Sequence, residues 1–434
     1  MSTTLEAAMI ALGYQLGDIW ESTTTSGGTT THTTLIDTAL KAKQNNWITY
    51  EAYDRISSGT MDGQERKVSS LDNTTGTITF TVAHSTTVAT SIDYEVHRMF
   101  TASDKRRALL AACRDIFPYC HERILDESFV SKNWLKDGSL EVWTSATALT
   151  YWTTSVSTLA QTSTAALFKH GNYSCKLSTA TGYIEQSITN HDDLKRLAGK
   201  TVTFSAQGHS DTASCLRLGI VYDGTNIEYS DYHDGDSTWT KNDEPLKVQY
   251  TIDEHPTQIK FRVYHAVAAA NSYVDDLRVI AGSNDSPRIF IGNLNLANNY
   301  PAEVFVEPYK YCLEEPWVLI SNVDFDYENG YMYLPSSVVG DLRLRVKGLA
   351  YLDFLASGVA STAWTATINL GQPYLDILVA EAAVYLYKQL LMPNLTTGSR
   401  EEFADGLSYW QAESKRRKNK YGMPIPNVVV SRRN

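Results

Sequence analysis

At 434 residues the chain exceeds one ordinary core, so two or three domains are expected. Its 43% hydrophobic and 20% charged residues exclude an intrinsically disordered chain, and its net charge of −11 excludes a generic nucleic-acid binder. The charge is uneven, however: the last twenty residues, KRRKNKYGMPIPNVVVSRRN, hold seven Lys or Arg and no acid, leaving −18 on the rest. A basic tail on an acidic body reads as an interaction arm.

The first segment predicts a helix, because Leu5, Met9, Leu12 and Leu16 share one face; Ser2 or Thr3 is its expected cap. It carries no basic leader or cleavage pattern, so it is not read as a signal peptide. No apolar run approaches the roughly 18 residues a bilayer span needs, so no membrane partner is expected. TTTSGGTTTHTT then predicts a mobile loop. Between residues 46 and 100, WITYEAYDRI, QERKVSSL, TGTITFTVA and DYEVHRMF alternate apolar and polar, which predicts a small antiparallel β domain. A second helix is expected from about Ser103, with Leu109, Cys113, Ile116, Phe117, Cys120 and Ile124 on one side and a bend at Pro118.

From residue 128 to 286 the chain is Ser/Thr-rich, aromatic and strand-like, which predicts an all-β sandwich of jelly-roll type. More strands follow over 287–370. The end, 371–422, predicts a helical hairpin. Its first helix starts near Pro373 and buries Leu378, Ala382, Tyr385 and Leu386. Its second is capped by Ser399 and Glu402, places Phe403, Leu407 and Trp410 on one face, and stops at Gly422. Residues 423–434 are the arm. The fold class expected is therefore α+β multidomain: a helical bundle with small antiparallel β domains, built from 1–127 and the C-terminal parts, plus an inserted sandwich. Five cysteines, odd in number and without a CxxC, predict buried free thiols, although Cys175 and Cys215 could meet across a sheet.

Two stretches carry family resemblances. LDILVAEAAVYLYKQLLMPNLTTGSREEFADGLSYWQAESKRRKNKYG resembles the C-terminal hairpin of tailed-bacteriophage head–tail connector (adaptor) proteins, with Tyr409 and Trp410 as the aromatic pair. NWITYEAYDRISSGTMDGQERKVSSLDNTTGTITF is similar to phage neck and tail proteins. The resemblance implies a homo-oligomeric ring, usually a dodecamer, at the neck or portal vertex of a virion assembled in the host cytoplasm. It docks on the portal protein, joins downstream tail or neck proteins, and lets double-stranded DNA pass without specific binding. The arm would dock by adding a strand to a partner, through Ile425, Val428, Val429, Val430, Arg432 and Arg433. The basic run 415–420 is assigned to the helix dipole and to partner proteins rather than to DNA.

The second resemblance lies in KDGSLEVW, GNYSCKLS, GYIEQSI and YVDDLRVI, which are similar to carbohydrate-binding modules of the family 4/9 jelly-roll type. There the opening turn and closing strand lie side by side and their carboxylates often hold a structural calcium; carried over, the ligands are Glu141 and Asp276. No other cofactor is implied. The alternative function is then an adhesin or tail component that recognises a host glycan. Candidate stacking residues are Trp143, Tyr151, Trp152, Tyr229, Tyr232, His233, Trp239, Tyr264 and His265. The densest stretch, 222–239, singles out Tyr229, Tyr232, His233 and Trp239. No GxSxG, HExxH, P-loop or GxGxxG occurs, and Asp193, Asp234, His191 and His209 form no catalytic pattern, so no enzyme is expected.

Overall fold

The computed structural model describes residues 2–48, 52–155, 158–222, 224–282, 288–294, 296–310, 316–356, 359–392 and 400–424. The expected cap Ser399 and the docking residues of the arm, 425–434, lie outside these. The chain forms two compact units, one from Met1–Glu122 with Tyr351–Ile425 and one from Arg123–Ala350. The first boundary thus falls at 122, not 127, and the 287–370 segment is divided between the units.

The first unit joins both ends of the chain. Helix α1, Leu5–Leu16, is capped by Thr4, whose hydroxyl accepts from the Ala7 N–H; neither Ser2 nor Thr3 is the cap. Leu5, Met9 and Leu12 are buried as the periodicity predicts. Six antiparallel strands follow: β1 Ile19–Thr23, β2 Thr34–Ile36, β3 Tyr53–Ile56, β4 Glu65–Asp72, β5 Thr77–Phe80 and β6 Asp93–His97. Their order is β1-β6-β3-β4-β5-β2, and a bridge from Ser26 to Ile36 closes the ring into a small barrel. The Thr/Gly stretch is tied to that barrel: the Thr24 hydroxyl donates to Ala89 O and accepts from Ile92 N, and the Gly28 N–H donates to Val88 O. It is hydrogen-bonded structure where a free loop was expected.

Helix α2 spans Ala102–Asp115, capped by Thr101, and stops before Pro118. Ile124 is therefore not on it; it belongs to a strand of the second unit. α3, Leu375–Leu391, and α4, Arg400–Tyr421, form the C-terminal hairpin. Leu378, Ala382 and Leu386 are buried, whereas Tyr385 is exposed. α1, α2, α3 and Trp410 of α4 share one core. Ion pairs tie the barrel to the helices: the buried Arg55, paired with Glu95 inside the barrel at 2.7 Å, reaches the half-buried Glu6 of α1 at 2.8 Å, and the buried Lys105 of α2 pairs with Asp18 at 2.8 Å.

The second unit is a sandwich followed by a smaller β region. Strand β7, Glu122–Val130, enters it. The sandwich strands are β8 Thr153–Thr154, β9 Thr158–Thr162, β10 Ser174–Ser178, β11 Gly182–Ile188, β12 Thr201–Ser210, β13 Leu216–Tyr222, β14 Asn226–Tyr229, β15 Leu246–Thr251, β16 Ile259–His265 and β17 Asn271–Ala281. They make two five-stranded antiparallel sheets, β8-β11-β16-β13-β14 and β9-β10-β17-β12-β15. Between them lies an apolar core in which Phe204 meets Phe261 edge to face at 5.4 Å. Cys175 lies in that core and Cys215 is buried against His265; both are free thiols. β18 Leu296–Val306, β19 Val318–Leu319 and β20 Arg343–Ala350 complete a sheet ordered β19-β18-β20-β7. The entry strand β7 and exit strand β20 are thus neighbours, as an inserted unit requires.

Candidate functional site

Alternation along a strand decides which side chains a sheet exposes. In the first sandwich sheet Ile184, Phe261, Val263, Leu216 and Leu218 point into the core. Their neighbours point outward, and register sets them in rows. Tyr183, Tyr264 and Arg217 are cross-strand partners in one row. Glu185, Arg262, Gly219 and Tyr229 form the next.

The rows interlock. The Tyr264 ring lies 5.6 Å from Tyr183 and 5.4 Å from Tyr229. The Arg217 guanidinium carbon sits 3.6 Å from the Tyr229 centroid and 4.6 Å from that of Tyr232. Arg262 lies 4.0 Å over Tyr183 and donates to Glu185 Oε2 at 2.6 Å and Tyr264 Oη at 3.1 Å. Gly219 makes the space: a Cβ there would stand 2.8 Å from Tyr264 Cε2. Burial raises the Tyr264 pKa and Arg262 only partly opposes it, so the phenol stays protonated at neutral pH. The result is a tyrosine-paved surface with guanidinium and carboxylate groups between the rings.

At the β8 edge of this sheet lies a groove of about 540 Å³. Thr153, Glu185 and Ser187 form its floor, and Tyr151, Phe290 and Tyr331 its aromatic wall, with successive ring centroids at 5.4 and 5.2 Å. Lys136 Nζ lies 5.1 Å from the Phe290 ring. The buried indole N–H of Trp134, another lining residue, has no hydrogen-bond partner among the described residues.

The nine stacking candidates separate. Tyr229, Tyr232 and Tyr264 come together on the outer face, and Tyr151 lines the groove. His233 does not join them: it is buried, and its ring nitrogens are engaged with the Gly235 N–H and Thr238 O. Trp239 lies against the other sheet, packed on His209 at 5.7 Å and donating its indole N–H to Ala166 O. Trp152 and His265 are core, and Trp143 packs against it. The sequence reading missed Tyr183, Arg217, Arg262 and the groove. Strand alternation could have flagged Tyr183 and Arg217; the groove depends on residues far apart in the chain.

Glu141 and Asp276 do not fit a calcium site. The opening turn and closing strand do lie side by side, the Leu277 N–H donating to Gly138 O at 2.7 Å. Each carboxylate is already occupied, however. Glu141 Oε1 accepts from the Asn172 and Tyr173 N–H groups, in a turn that Gly171 allows with φ +71° and no Cβ. Asp276, at a β-bulge with φ +52°, gives both oxygens to Arg278, at 2.8 and 2.6 Å. Burial pushes the Asp276 pKa up, but the guanidinium outweighs it and the net shift is down. Calcium wants six or more hard oxygens; a guanidinium stands where a cation would. Among the described residues no group of three or more His, Cys, Asp or Glu could hold a metal ion.

At the other end of the chain, Arg417 donates to Glu413, Gln15 and Asp376 O, Arg416 to Glu413, and Lys418 to Glu381. These cations, expected to face partners, are paired within the first unit. Of the arm only Met423 and Pro424 are described, and the Met423 N–H donates to Tyr119 O at 2.7 Å.

No family model matches the chain, and no curated protein matches it. Among solved structures it is similar to the carbohydrate-binding module TmCBM61 in complex with β-1,4-galactotriose, at 15% identity over 35% of this chain and 100% of that one, with a TM-score of 0.28. It is similar to the CBM22-1 xylan-binding domain of Paenibacillus barcinonensis Xyn10C, at 14% identity over 35% and 96%, TM-score 0.27. It is also similar to the enzymatically active domain of bacteriophage CBA120 tailspike protein 4, at 11% identity over 35% and 22%, TM-score 0.28. Each is a likeness of part of the chain, and no more.

Proposed function

We propose that the second unit binds a glycan along the outer face of the β8-β11-β16-β13-β14 sheet. The observation that carries this is the paved face: Tyr264 and Tyr229 packed at Gly219, Tyr183 beside Tyr264, and Arg217 and Arg262 among the rings. Sugar rings present C–H faces that lie on aromatic rings, and their hydroxyls bond to fixed polar groups; this face offers both. The surface is built before any ligand arrives, so little ordering is needed on binding. Catalysis is not required. The test is a glycan array probed with the full chain, its Tyr264→Ala variant and its Trp239→Ala variant. Loss of signal in the first variant and retention in the second is the expected result. An array without signal for the unaltered chain overturns the proposal.

A second reading, a ring-forming connector of a phage particle, is favoured by one feature of the first unit. The 22-residue α4 buries only Trp410 and Ser414, and leaves Tyr409 63% exposed. A helix of this length gains most of its stability from a packed face. A second copy of the chain is the occupant this reading assigns to that face, and the arm 423–434 the part that docks on a portal protein. Native mass spectrometry of the full chain should show a closed oligomer; a monomer at tens of micromolar, or portal binding unchanged on deleting 423–434, contradicts it.

A further inference from the structure

The two carboxylates that line the groove, Glu185 and Asp193, are already paired. Glu185 is held by Arg262 at 2.6 Å and Lys260 at 3.5 Å, and Asp193 by Arg288 at 2.9 Å. Two cations have no such partner among the described residues. Arg217 is clamped by the rings of Tyr229 and Tyr232, and its Nε makes no hydrogen bond. Lys136 makes no ion pair; its ammonium rests only near Phe290 and Tyr331, at 5.1 and 5.6 Å. Arg217 stands on the outer face of the sheet and Lys136 in the lining of the groove at its edge, on a chain whose net charge is −11. An unpaired, half-buried guanidinium costs desolvation without return unless an anion completes it. Ring stacking lowers that cost but supplies no acceptor for the N–H groups.

We infer that the saccharide bound here is acidic, with its carboxylate or sulfate groups meeting Arg217 on the paved face and Lys136 at the groove. This rests on the glycan reading and narrows it. Arg217 on β13 is separated from the edge strand β8 by three strand spacings, or about 14 Å. A single sugar does not span that distance, so the ligand is an oligosaccharide carrying anionic groups on more than one unit. Thr153 and Ser187, which line the groove with Lys136, suit its neutral hydroxyls. Local positive potential on an acidic chain also speeds capture of a polyanion and excludes neutral competitors.

The test uses matched pairs and the full chain. Tetragalacturonate is compared with its carboxyl-reduced form, and a sulfated oligosaccharide with its desulfated form, by isothermal titration in low and physiological salt. The acid is expected to bind at least tenfold tighter than its neutral counterpart, with the preference shrinking as salt rises. Lys136→Gln, an exposed position that leaves the core untouched, should cut the preference about fivefold; Lys136→Arg should restore it. Whichever pair shows the preference identifies carboxylate or sulfate. Equal binding of acid and neutral forms overturns this inference and leaves the glycan reading standing. Absence of binding by every saccharide, including the array, overturns both.

Discussion

Arg278 shows at the residue scale how one side chain changes what a site can hold. Its guanidinium grips Asp276 and reaches Asp341 at 2.7 Å, so it ties the closing strand of the sandwich to the β region that follows. Removing one partner of a buried pair leaves the other uncompensated. Arg278→Met should therefore destabilise the second unit by about 3–5 kcal/mol in chemical denaturation, and a chelator should leave the melting temperature of the unaltered chain unchanged. A chelator-induced drop would restore the calcium site. Asp137 makes a pH prediction. Burial raises its pKa to about 7, against the hydrogen bonds from the Glu141 and Val142 N–H groups. The folded state then holds a proton that the unfolded chain releases near pH 4, so stability falls as pH rises from about 4 to 7. Asp137→Asn should flatten that slope in denaturant titrations; an unchanged slope would show that the carboxyl ionises normally. None of this was visible in KDGSLEVW and YVDDLRVI alone. The motif residues were legible, but their pairing with Arg278 and Asn172 depends on long-range geometry.

Among the elements, the strands of the barrel and the sandwich were legible because one face is buried and alternation follows. The end of α2 was not: Ile116, Cys120 and Ile124 continue a helical spacing past Pro118 although the last lies on β7. Trp239 and Tyr229 sit ten residues apart in one polar stretch, yet they face opposite sheets. Register across strands, a non-local property, decides which aromatics meet. Gly219 tests that register. Gly219→Ala should displace the Tyr264 ring and weaken saccharide binding by roughly tenfold, about 1.4 kcal/mol, while far-ultraviolet circular dichroism stays native. Undiminished binding would remove Tyr264 from the site. In the helical core, Trp410→Ala should cost about 3–5 kcal/mol, because it is the one large side chain α4 buries; a change under 1 kcal/mol in thermal unfolding would mean that α4 is held by something else.

For the whole molecule, the sequence already separated a helical part made from both chain ends from a sandwich between them. It misplaced the seams because β7 and the residues after the sandwich form one sheet, an arrangement only pairing reveals. Since β7 and β20 are neighbours, replacing 123–350 by a short Gly/Ser linker should leave the first unit folded with its helical signal intact; collapse of that signal would make the two units interdependent. The paved face is the decisive feature of the molecule. The most direct measurement is a crystal structure of the full chain with an oligosaccharide drawn from the array. Sugar density lying across Tyr183, Tyr264 and Tyr229, with an anionic group against Arg217, is the predicted result. Sugar bound on the opposite sheet beside Trp239, with the tyrosine face bare, would contradict it.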